Sequence, residues 1–382
     1  MSAGRVSIGD TMTAAGHEQV VFVADRASGL RAIIAVHSTA LGPSLGGIRF
    51  WHYPDEDAAV ADVLRLSEAM SFKASMAGLH QGGGKAVVLV DDPVVPRTEE
   101  LLLALGTAID ELGGRYIAAE DVSATPRDME VISRRTPWVT GVEGPGGSGD
   151  PSPVTALGVL EAMKAALEQV DGTASVTDRR VVVQGAGHVG SFLAELLVDE
   201  GAAVSVADLH EDRVRALVDR LGVEALPVDS AVEAECDVLA PCALGGVVSV
   251  DSVPRLRCRA ICGGANNQLV DLEAGDALDA RGIVYAPDFV ANAGGIINIA
   301  EEFTGYDRNR ALERAIGVGD TMRRVLEFAR TERIAPARAA DVLARERIAQ
   351  EGSGRRWHPG DPAAWTNGAP LRTLRPGTEG DR

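Results

Sequence analysis

The stretch Val181-Val-Val-Gln-Gly-Ala-Gly-His-Val-Gly190 decides the fold class, because an apolar strand runs directly into the glycine pattern G-x-G-x-x-G. A helical segment follows from Phe192. In dinucleotide-binding folds the first glycine permits a tight turn, the second lets the backbone approach a pyrophosphate, and the third allows close packing of helix on strand. The next strand ends at Asp208, 18 residues past Gly190, where an acid accepts the adenosine ribose hydroxyls. The motif predicts a dinucleotide site.

Asp208 also indicates which dinucleotide binds. Its negative charge would repel a 2′-phosphate, so we expect NAD rather than NADP as the cofactor. The alternative is a glycine turn that binds no ligand, but the strand, glycines, helix and acid in register argue against it. The first predicted cofactor contacts are the residues of this fingerprint, Gly185, Ala186, Gly187, His188, Val189 and Gly190.

Outward from the fingerprint, apolar strands alternate with helical segments. Candidate strands start at Val181, Val204, Val238 and Ala260. Such alternation predicts a doubly wound parallel sheet of the Rossmann type. The region before residue 141 differs, because its apolar runs 19–23 and 30–36 are typical of strands in a mixed sheet. The sequence therefore predicts an α/β protein with two domains.

A turn-forming stretch at 141–150 separates the two regions. We expect the substrate and catalytic domain at residues 1–147, with a returning helical segment at about 325–350, and the NAD-binding domain at 148–324. Residues 351–382 are rich in Gly, Pro and Arg and have few apolar anchors, which predicts a flexible tail.

The charge of the chain limits its partners. A formal net charge of −18 repels phosphate backbones and anionic lipid headgroups, so we expect neither nucleic acid nor a membrane surface as a partner. The N-terminal residues lack a signal-peptide core, and no apolar run approaches the roughly 20 residues that span a bilayer, which predicts a cytoplasmic protein. The four cysteines fall within 27 residues without a C-x2-C pair or a nearby histidine, so we expect reduced thiols on buried strands rather than zinc, and no metal site.

Lysine is rare in this chain, since only Lys73, Lys85 and Lys164 are lysine among the 37 basic residues. An ammonium group can lose its proton near neutral pH and a guanidinium cannot. A lysine in a chain that otherwise uses arginine therefore indicates a role in proton transfer or substrate binding. Lys164 lies in an ordinary helical segment. We predict that a neutral Lys85 is a general base and that a charged Lys73 holds a substrate carboxylate. The alternative is that both lysines form salt bridges.

Three glycines, 82–84, precede Lys85. A phosphate-binding P-loop is excluded, because Leu79 and Ala86 occupy its required glycine and hydroxyl positions. Consecutive glycines instead indicate a backbone that passes close to a ligand.

These motifs resemble the amino-acid dehydrogenases that act on leucine, valine and phenylalanine, which are relatives of glutamate dehydrogenase. The resemblance extends to about residue 350, and the string as a whole is most similar to the valine dehydrogenases. It is carried by the two lysine segments, the fingerprint and the segments Gly16–Val20, Leu41–Arg49, Ala119–Val122, Ala240–Gly246, Gly264–Leu269 and Tyr285–Gly295.

The resemblance implies a reaction, the reversible oxidative deamination of an L-amino acid by NAD⁺ to a 2-oxo acid, ammonia and NADH. It implies that Lys85 activates water for attack on the imino acid, and that Asp121 exchanges protons with the amine. It also implies a homo-oligomer. The substrate α-carboxylate would be bound by Lys73, Gly46, Gly47 and Asn292. Further cofactor contacts would be Thr155, Cys242, Ala243, Leu244, Asn266 and Asn267.

The apolar wall that the resemblance implies favours a branched aliphatic substrate, namely valine, isoleucine or leucine. This wall consists of Leu41, Met70, Ala119, Ile296 and Ile299. An aromatic amino acid is the first alternative, because one methylene of pocket volume discriminates by only about 1–3 kcal/mol. A catalytically silent NAD-binding protein is the second. Two departures from the family pattern are Ile48, where threonine is common, and Ser123-Ala124, where Gly-Thr is usual.

Overall fold

The computed structural model describes residues 7–142 and 147–352, so most of the predicted tail lies outside the described residues. The chain divides into two compact units. Among the described residues, unit 1 comprises 7–142, 147–149, 299–306 and 345–352, and unit 2 comprises 150–298 and 307–344. None of the described helices is long and apolar enough to cross a membrane.

Between residues 7 and 142, unit 1 is built on five strands and four helices. Its elements are α1 (Ile8–Ala15), β1 (Gln19–Asp25), β2 (Leu30–Ser38), β3 (Ser44–Trp51), α2 (Glu56–Met76), β4 (Gly82–Leu89), α3 (Glu99–Asp110), β5 (Tyr116–Glu120) and α4 (Pro126–Ser133).

The five strands form one mixed sheet in the order β1-β2-β4-β3-β5. β2 is antiparallel to β1 and β4, whereas β3 is parallel to β4 and β5. Both faces of the sheet are covered, because alternate residues of β2 enter different cores. Ile34 packs in the core with α3 and α4, and Ile33 packs with Val63 of α2. The predicted mixed sheet is confirmed.

The three glycines before Lys85 lie within β4, and the protein itself fills the space beside them. A Cβ on Gly82 would overlap the carbonyl oxygen of Ser38, and one on Gly83 would overlap the backbone of Ser71 in α2. At Gly84 it would lie 2.7 Å from Oγ of Ser44. These contacts explain the three glycines without a ligand, and the close approach of a ligand to this backbone stays a prediction. The glycines let β4 pack against α2 and its neighbouring strands.

Between residues 147 and 352 the structure contains six strands, nine α-helices and two short 3₁₀ helices. These elements are α5 (Ser152–Asp171), β6 (Arg180–Gln184), α6 (His188–Asp199), β7 (Ala203–Ala207), α7 (Glu211–Leu221), β8 (Glu224–Ala225), α8 (Val228–Ala231), β9 (Val238–Pro241), a 3₁₀ helix (Val253–Arg255), β10 (Ala260–Ile261), α9 (Leu272–Ala280), β11 (Val284–Tyr285), α10 (Asp288–Ala291), α11 (Gly294–Ala300), a 3₁₀ helix (Glu301–Thr304), α12 (Arg308–Glu332) and α13 (Pro336–Gly352).

Unit 2 contains a six-stranded sheet in the order β11-β10-β9-β6-β7-β8. All its strand pairs are parallel, which confirms the predicted doubly wound sheet. The chain leaves β6 toward β7 on one side and later returns to β9 on the other. Ligands of such sheets bind where the strand order reverses, beyond the carboxyl ends of the central strands. In unit 2 that point lies between β6 and β9.

The four cysteines flank β9 and β10 and do not lie on them, so their predicted place on strands is wrong by one or two residues. Their thiols are free. Burial raises the pKa of Cys236 to about 12 and the pKa of Cys242 and Cys258 to about 11, so these thiols are protonated at neutral pH. Within the described residues, no group of His, Cys, Asp and Glu side chains is placed to hold a metal ion.

Two buried histidines connect α1, β2 and α2 in unit 1. The rings of His17 and His37 meet edge to face at 4.7 Å between centroids. His37 contacts Oγ of Ser71 at 2.7 Å through Nδ1, and His17 contacts Oγ of Ser67 at 3.1 Å through Nε2. Burial lowers the pKa of both rings, and in His37 the second histidine lowers it further. Both rings are therefore neutral at pH 7.

We predict that this pair makes the protein acid-sensitive. The unfolded chain binds protons at these histidines near pH 6.5, whereas the folded state binds them only at lower pH, so stability falls as pH falls below about 6.5. Replacing both residues (His17→Gln, His37→Gln) should flatten the dependence of the unfolding free energy on pH between about pH 7 and pH 5, measured by urea denaturation. Substitution of the exposed His210 by Gln is the control, and an unchanged slope in the double variant would contradict the prediction.

Candidate active site

Lys85 is buried in β4, with 4% of its surface exposed. Its Nζ lies 2.7 Å from Oδ2 of Asp121. Asp121 directly follows β5, and β3 runs between the two strands. β3 is parallel to β4 and to β5, so residues that are paired across these three strands lie side by side. The mixed sheet thus brings together two residues that are 36 positions apart in the sequence.

Two glycines of β3 make this approach possible. A Cβ on Gly47 would lie 2.6 Å from Cβ of Asp121, and one on Gly46 would overlap the carbonyl oxygen of Gly84. Ala119, opposite Gly47 in the β3–β5 register, is also buried. Any larger side chain at position 47 would displace Asp121 from Lys85. The substrate contacts predicted for Gly46 and Gly47 stay predictions, and their structural role explains the glycines by itself.

A second cation, Arg49 of β3, binds the same oxygen of Asp121. Its Nε lies 2.9 Å from Oδ2 of Asp121, and its NH1 lies 3.0 Å from Oδ2 of Asp62 in α2. Tyr53 donates its hydroxyl to the same oxygen of Asp62 at 2.7 Å. Arg65 contacts the other oxygen of Asp62 at 2.9 Å. Five charged groups and one phenol therefore form a continuous network from Lys85 to α2.

Burial and charge act in opposite directions within this network. Burial lowers the pKa of Lys85 below its usual value, and the nearby Asp121 offsets only part of that effect. Burial alone would raise the pKa of Asp121, but Lys85 and Arg49 together hold it below its usual value. A carboxylate that stays ionised beside an amine whose pKa is lowered is suited to proton transfer.

Ser123 has a left-handed backbone conformation, with φ of +64°. Only glycine adopts this region without strain, and Ser123 occupies the position where the family usually has glycine. The following turn is nonetheless closed, because the Ala124 amide donates to the Asp121 carbonyl oxygen at 3.0 Å. The departure in sequence thus leaves the backbone beside Asp121 in the conformation that glycine would favour. Ile48, the other departure, is fully buried in the core of the sheet.

The remaining predicted substrate residues of unit 1 lie on three elements. Lys73 and Met70 are in the last two turns of α2, the helix that packs on β4 beside Gly83. Leu41 lies between β2 and β3, and Ile299 lies in α11. Their contacts with substrate stay predictions.

The fingerprint in unit 2 has the geometry that its glycines indicate. Gly185 has φ of +111°, and a Cβ on Gly190 would overlap the carbonyl oxygen of Gly185. A Cβ on Gly187 would have no neighbour within 4 Å among the described residues, so the backbone there is open to a ligand. α6 begins at His188 without a side-chain cap, which leaves its first N–H groups for an anion.

Asp208 is fastened to this turn. Its Oδ2 accepts from the Ala186 amide and its Oδ1 accepts from the His210 amide, both at 2.7 Å. A carboxylate has about four acceptor sites, so two remain for ribose hydroxyls. A cavity of about 610 Å³ borders the fingerprint at Ala186 and Gly187 and continues along α6 and α7, where Glu195, Arg213 and Arg220 line it. Asp208 is not part of its lining. The turn, the uncapped helix and the acid fit a dinucleotide.

Other predicted cofactor residues lie at the point where the strand order reverses. Cys242, Ala243 and Leu244 directly follow β9, and a Cβ on Gly185 would lie 2.9 Å from Cβ of Ala243. Leu244 is exposed. Asn266 and Asn267 follow β10, whereas Thr155 is buried in the first turn of α5 and donates to the Pro151 carbonyl oxygen. The sheet brings the β6 and β9 segments into contact.

Asn292 is buried at the end of α10. Its Nδ2 donates to Oδ1 of Asn266 at 2.9 Å and to the carbonyl oxygens of Gly264 and Ala265. Its Oδ1 has no hydrogen-bond partner within the described residues. In this orientation Asn292 offers an acceptor, whereas the predicted contact with a carboxylate needs a donor. That contact stays a prediction and requires a turned amide. Ile296, in α11, is buried.

No motif in the sequence marks Arg49, Asp62 and Tyr53 as members of this site. The available signal was a charged residue in the otherwise apolar strand Leu45-Gly-Gly-Ile-Arg-Phe-Trp51. A charge at such a position needs a buried partner. Nothing in the local spacing identifies Asp121 or Asp62 as that partner.

Comparison with known proteins gives consistent matches over nearly the whole chain. The family model described as "Glu/Leu/Phe/Val dehydrogenase, dimerisation domain" matches residues 17–138. The model described as "Glutamate/Leucine/Phenylalanine/Valine dehydrogenase" matches residues 146–212 and 210–353.

Among individual proteins, a leucine dehydrogenase of Bacillus cereus is 47% identical over 87% of this chain and 91% of its own length. A valine dehydrogenase of Streptomyces albus is 47% identical over 88% of this chain and 93% of its own length. The crystal structure of L-tryptophan dehydrogenase from Nostoc punctiforme has a TM-score of 0.80 and 35% identity, covering 91% of this chain and all of that one. The chain therefore belongs to the Glu/Leu/Phe/Val dehydrogenase family.

Proposed function

We propose that the protein catalyses the reversible NAD-dependent oxidative deamination of a branched-chain aliphatic L-amino acid. The products are the 2-oxo acid, ammonia and NADH. The observation that carries the proposal is the buried contact of 2.7 Å between Lys85 and Asp121, which joins a readily deprotonated amine to an ionised carboxylate. Relatives named leucine and valine dehydrogenase, each 47% identical, support the substrate class.

Lys73, Lys85 and Asp121 have separate roles in the proposed reaction. Lys73 holds the substrate carboxylate. Neutral Lys85 takes a proton from water, and the resulting hydroxide adds to the imino carbon. Asp121 takes a proton from the substrate ammonium group before hydride transfer and returns it to the nitrogen of the adduct. The C–N bond then breaks to release ammonia, while the adduct's hydroxyl loses its proton to solvent and becomes the carbonyl of the 2-oxo acid. The negative charge of Asp121 also stabilises the iminium.

NAD⁺, when bound, supplies the hydride acceptor. The residues that would hold it are the fingerprint, Asp208 and the segments after β9 and β10. The uncapped start of α6 and the open space at Gly187 suit its pyrophosphate. Asp208 suits its ribose hydroxyls and disfavours a 2′-phosphate.

The substrate preference follows from the side chains expected to surround the substrate. Leu41, Met70, Ala119, Ile296 and Ile299 are all apolar, and none of them could pair with a γ-carboxylate. This argues against glutamate. The 35% identity to a tryptophan dehydrogenase favours an aromatic amino acid as the second candidate. A silent NAD-binding protein would have no use for Lys73, Lys85 and Asp121 together.

We also propose that the protein is a homo-oligomer. The matched N-terminal model is described as a dimerisation domain, which supports association through unit 1. The cytoplasmic location stays a prediction.

The substrate class and the role of Lys85 as general base can be tested in one assay. Purified protein with NAD⁺ at alkaline pH should form NADH fastest with L-valine, L-isoleucine or L-leucine, and slowly or not at all with L-phenylalanine, L-tryptophan and L-glutamate. Lys85→Ala should lower kcat by at least about 100-fold, because general-base catalysis contributes that much. The measurement is absorbance of NADH at saturating NAD⁺.

Lys164→Ala is the matched control, since Lys164 pairs with Glu161 and Glu200 on the surface of unit 2. It should keep full turnover. Fastest turnover on L-tryptophan or L-phenylalanine would replace the aliphatic assignment with the aromatic one. NAD⁺ binding without turnover of any amino acid would reject the enzyme assignment.

We predict that Asp208 determines the preference for NAD⁺ over NADP⁺. Asp208→Asn removes the charge that repels a 2′-phosphate, so the ratio of kcat/KM for NADP⁺ to that for NAD⁺ should rise at least about tenfold, equivalent to about 1.4 kcal/mol. Asp212→Asn, at an exposed position of α7, should leave the ratio unchanged. If the ratio is the same in wild type and Asp208→Asn, Asp208 does not select the cofactor.

A further inference from the structure

Asp121 is shared by two cations that contact one of its oxygens. Nζ of Lys85 and Nε of Arg49 both lie within 2.9 Å of Oδ2. Within the described residues, the other oxygen, Oδ1, accepts no hydrogen bond from a side chain or backbone amide. The carboxylate is thus held by one oxygen, and the other remains for exchange of a proton with a substrate.

Arg49 itself is shared by two carboxylates. It contacts Asp121 through Nε and Asp62 through NH1. Its side chain is 20% exposed and that of Asp62 is 18% exposed, so solvent screens these contacts only in part. Asp62 is fixed in turn by the Tyr53 hydroxyl and by Arg65. The order of charges from the sheet to α2 is therefore plus, minus, plus, minus, plus.

We infer that Arg49 and Asp62 are positioning residues that control how readily Lys85 gives up its proton. This inference rests on the proposed function, in which neutral Lys85 is the base. Asp121 favours the charged form of Lys85 and offsets part of the effect of burial. Arg49 competes with Lys85 for the same carboxylate oxygen and repels the ammonium. Asp62 pairs with Arg49, and its negative charge offsets part of the repulsion between Arg49 and Lys85.

The other charged and titratable groups near Lys85 leave this order intact. Asp121 follows β5, Arg49 lies on β3, and Asp62 lies on α2 with Arg65 and, through its hydroxyl contact, Tyr53. Tyr116 of β5 is buried and near Asp121, and burial raises its pKa well above the usual value, so it stays neutral. Burial likewise raises the pKa of Tyr53. Near neutral and alkaline pH, Lys85 is the member of this network that titrates.

Two substitutions should therefore move Lys85 in opposite directions. Arg49→Gln removes the competing cation, so Lys85 should lose its proton at higher pH, by about 1 pH unit or more. Asp62→Asn leaves the Arg49 charge directed at Asp121, so Lys85 should lose its proton at lower pH. Arg49→Lys keeps a cation at this position and should restore most of the wild-type behaviour. A residue that only supported the fold would not produce shifts of opposite sign.

The scarcity of lysine permits a direct measurement on the full chain. Protein labelled with ¹³C at the lysine ε-carbon contains three labelled side chains, Lys73, Lys85 and Lys164, which Lys→Arg variants assign. NMR titration of the wild type and each variant reports the protonation of Lys85 without any substrate. Lys164, paired with Glu161 and Glu200 in unit 2, is the internal reference.

Arg115→Gln is the matched control, because Arg115 is another partly buried arginine of unit 1 and pairs with Glu18. It should leave the Lys85 titration in place. The pH dependence of kcat/KM for the best substrate should follow the NMR, rising at higher pH in Arg49→Gln and at lower pH in Asp62→Asn. KM should change less than kcat, since neither residue is expected to touch the substrate carboxylate.

The outcomes separate the two proposals. An unmoved Lys85 titration in both folded variants, or shifts of the same sign, overturns the inference even if the enzyme is active. Shifts of opposite sign in NMR, combined with no turnover of any amino acid by the wild type, support the electrostatic coupling and overturn the proposed function. If Arg49→Gln does not fold, Asp62→Asn and Arg49→Lys still decide, because a downward shift in the first and a near-normal titration in the second are both required.

Discussion

A buried ion pair between a lysine and an aspartate is the constraint on which the first unit of this protein depends. Removing two charges from water is expensive, and the attraction between them offsets that penalty only when their geometry is good and their other polar groups are satisfied. Here the geometry comes from three adjacent strands, with Lys85 on β4, Asp121 after β5, and glycines of β3 between them. Gly47 of β3 is therefore required by the position of Asp121 beside it.

The predicted ligand site of the second unit was easier to recognise from the sequence, because it is formed largely by backbone. A turn, the start of a helix and an acid at a strand end depend on local sequence, and each was predictable from spacing. The same holds for the parallel sheet, whose strands and helices alternate along the chain. The mixed sheet was recognisable from the apolar runs that form β1 and β2. The strand order that places β3 between β4 and β5 was not, since pairing of distant strands leaves no local pattern.

The candidate site was predictable only in part for the same reason. Lysine scarcity identified Lys85, and a family resemblance identified Asp121. Arg49 and Asp62 went unrecognised, because they lie on a strand and a helix and act through a third residue after β5. The glycines of β4 were recognised as a place of close approach, but the sequence does not reveal which atoms approach. Backbone and side-chain atoms of the protein lie in that space.

The left-handed conformation of Ser123 has a consequence for how this chain tolerates change. The backbone beside Asp121 is held in a shape that serine does not favour, so the shape is imposed by the surrounding sheet and turn rather than by the residue itself. Substitutions at position 123 should therefore differ in their effect on stability. Glycine would relieve the backbone strain without altering the site, whereas a β-branched residue would add strain at the turn that positions the carboxylate of Asp121.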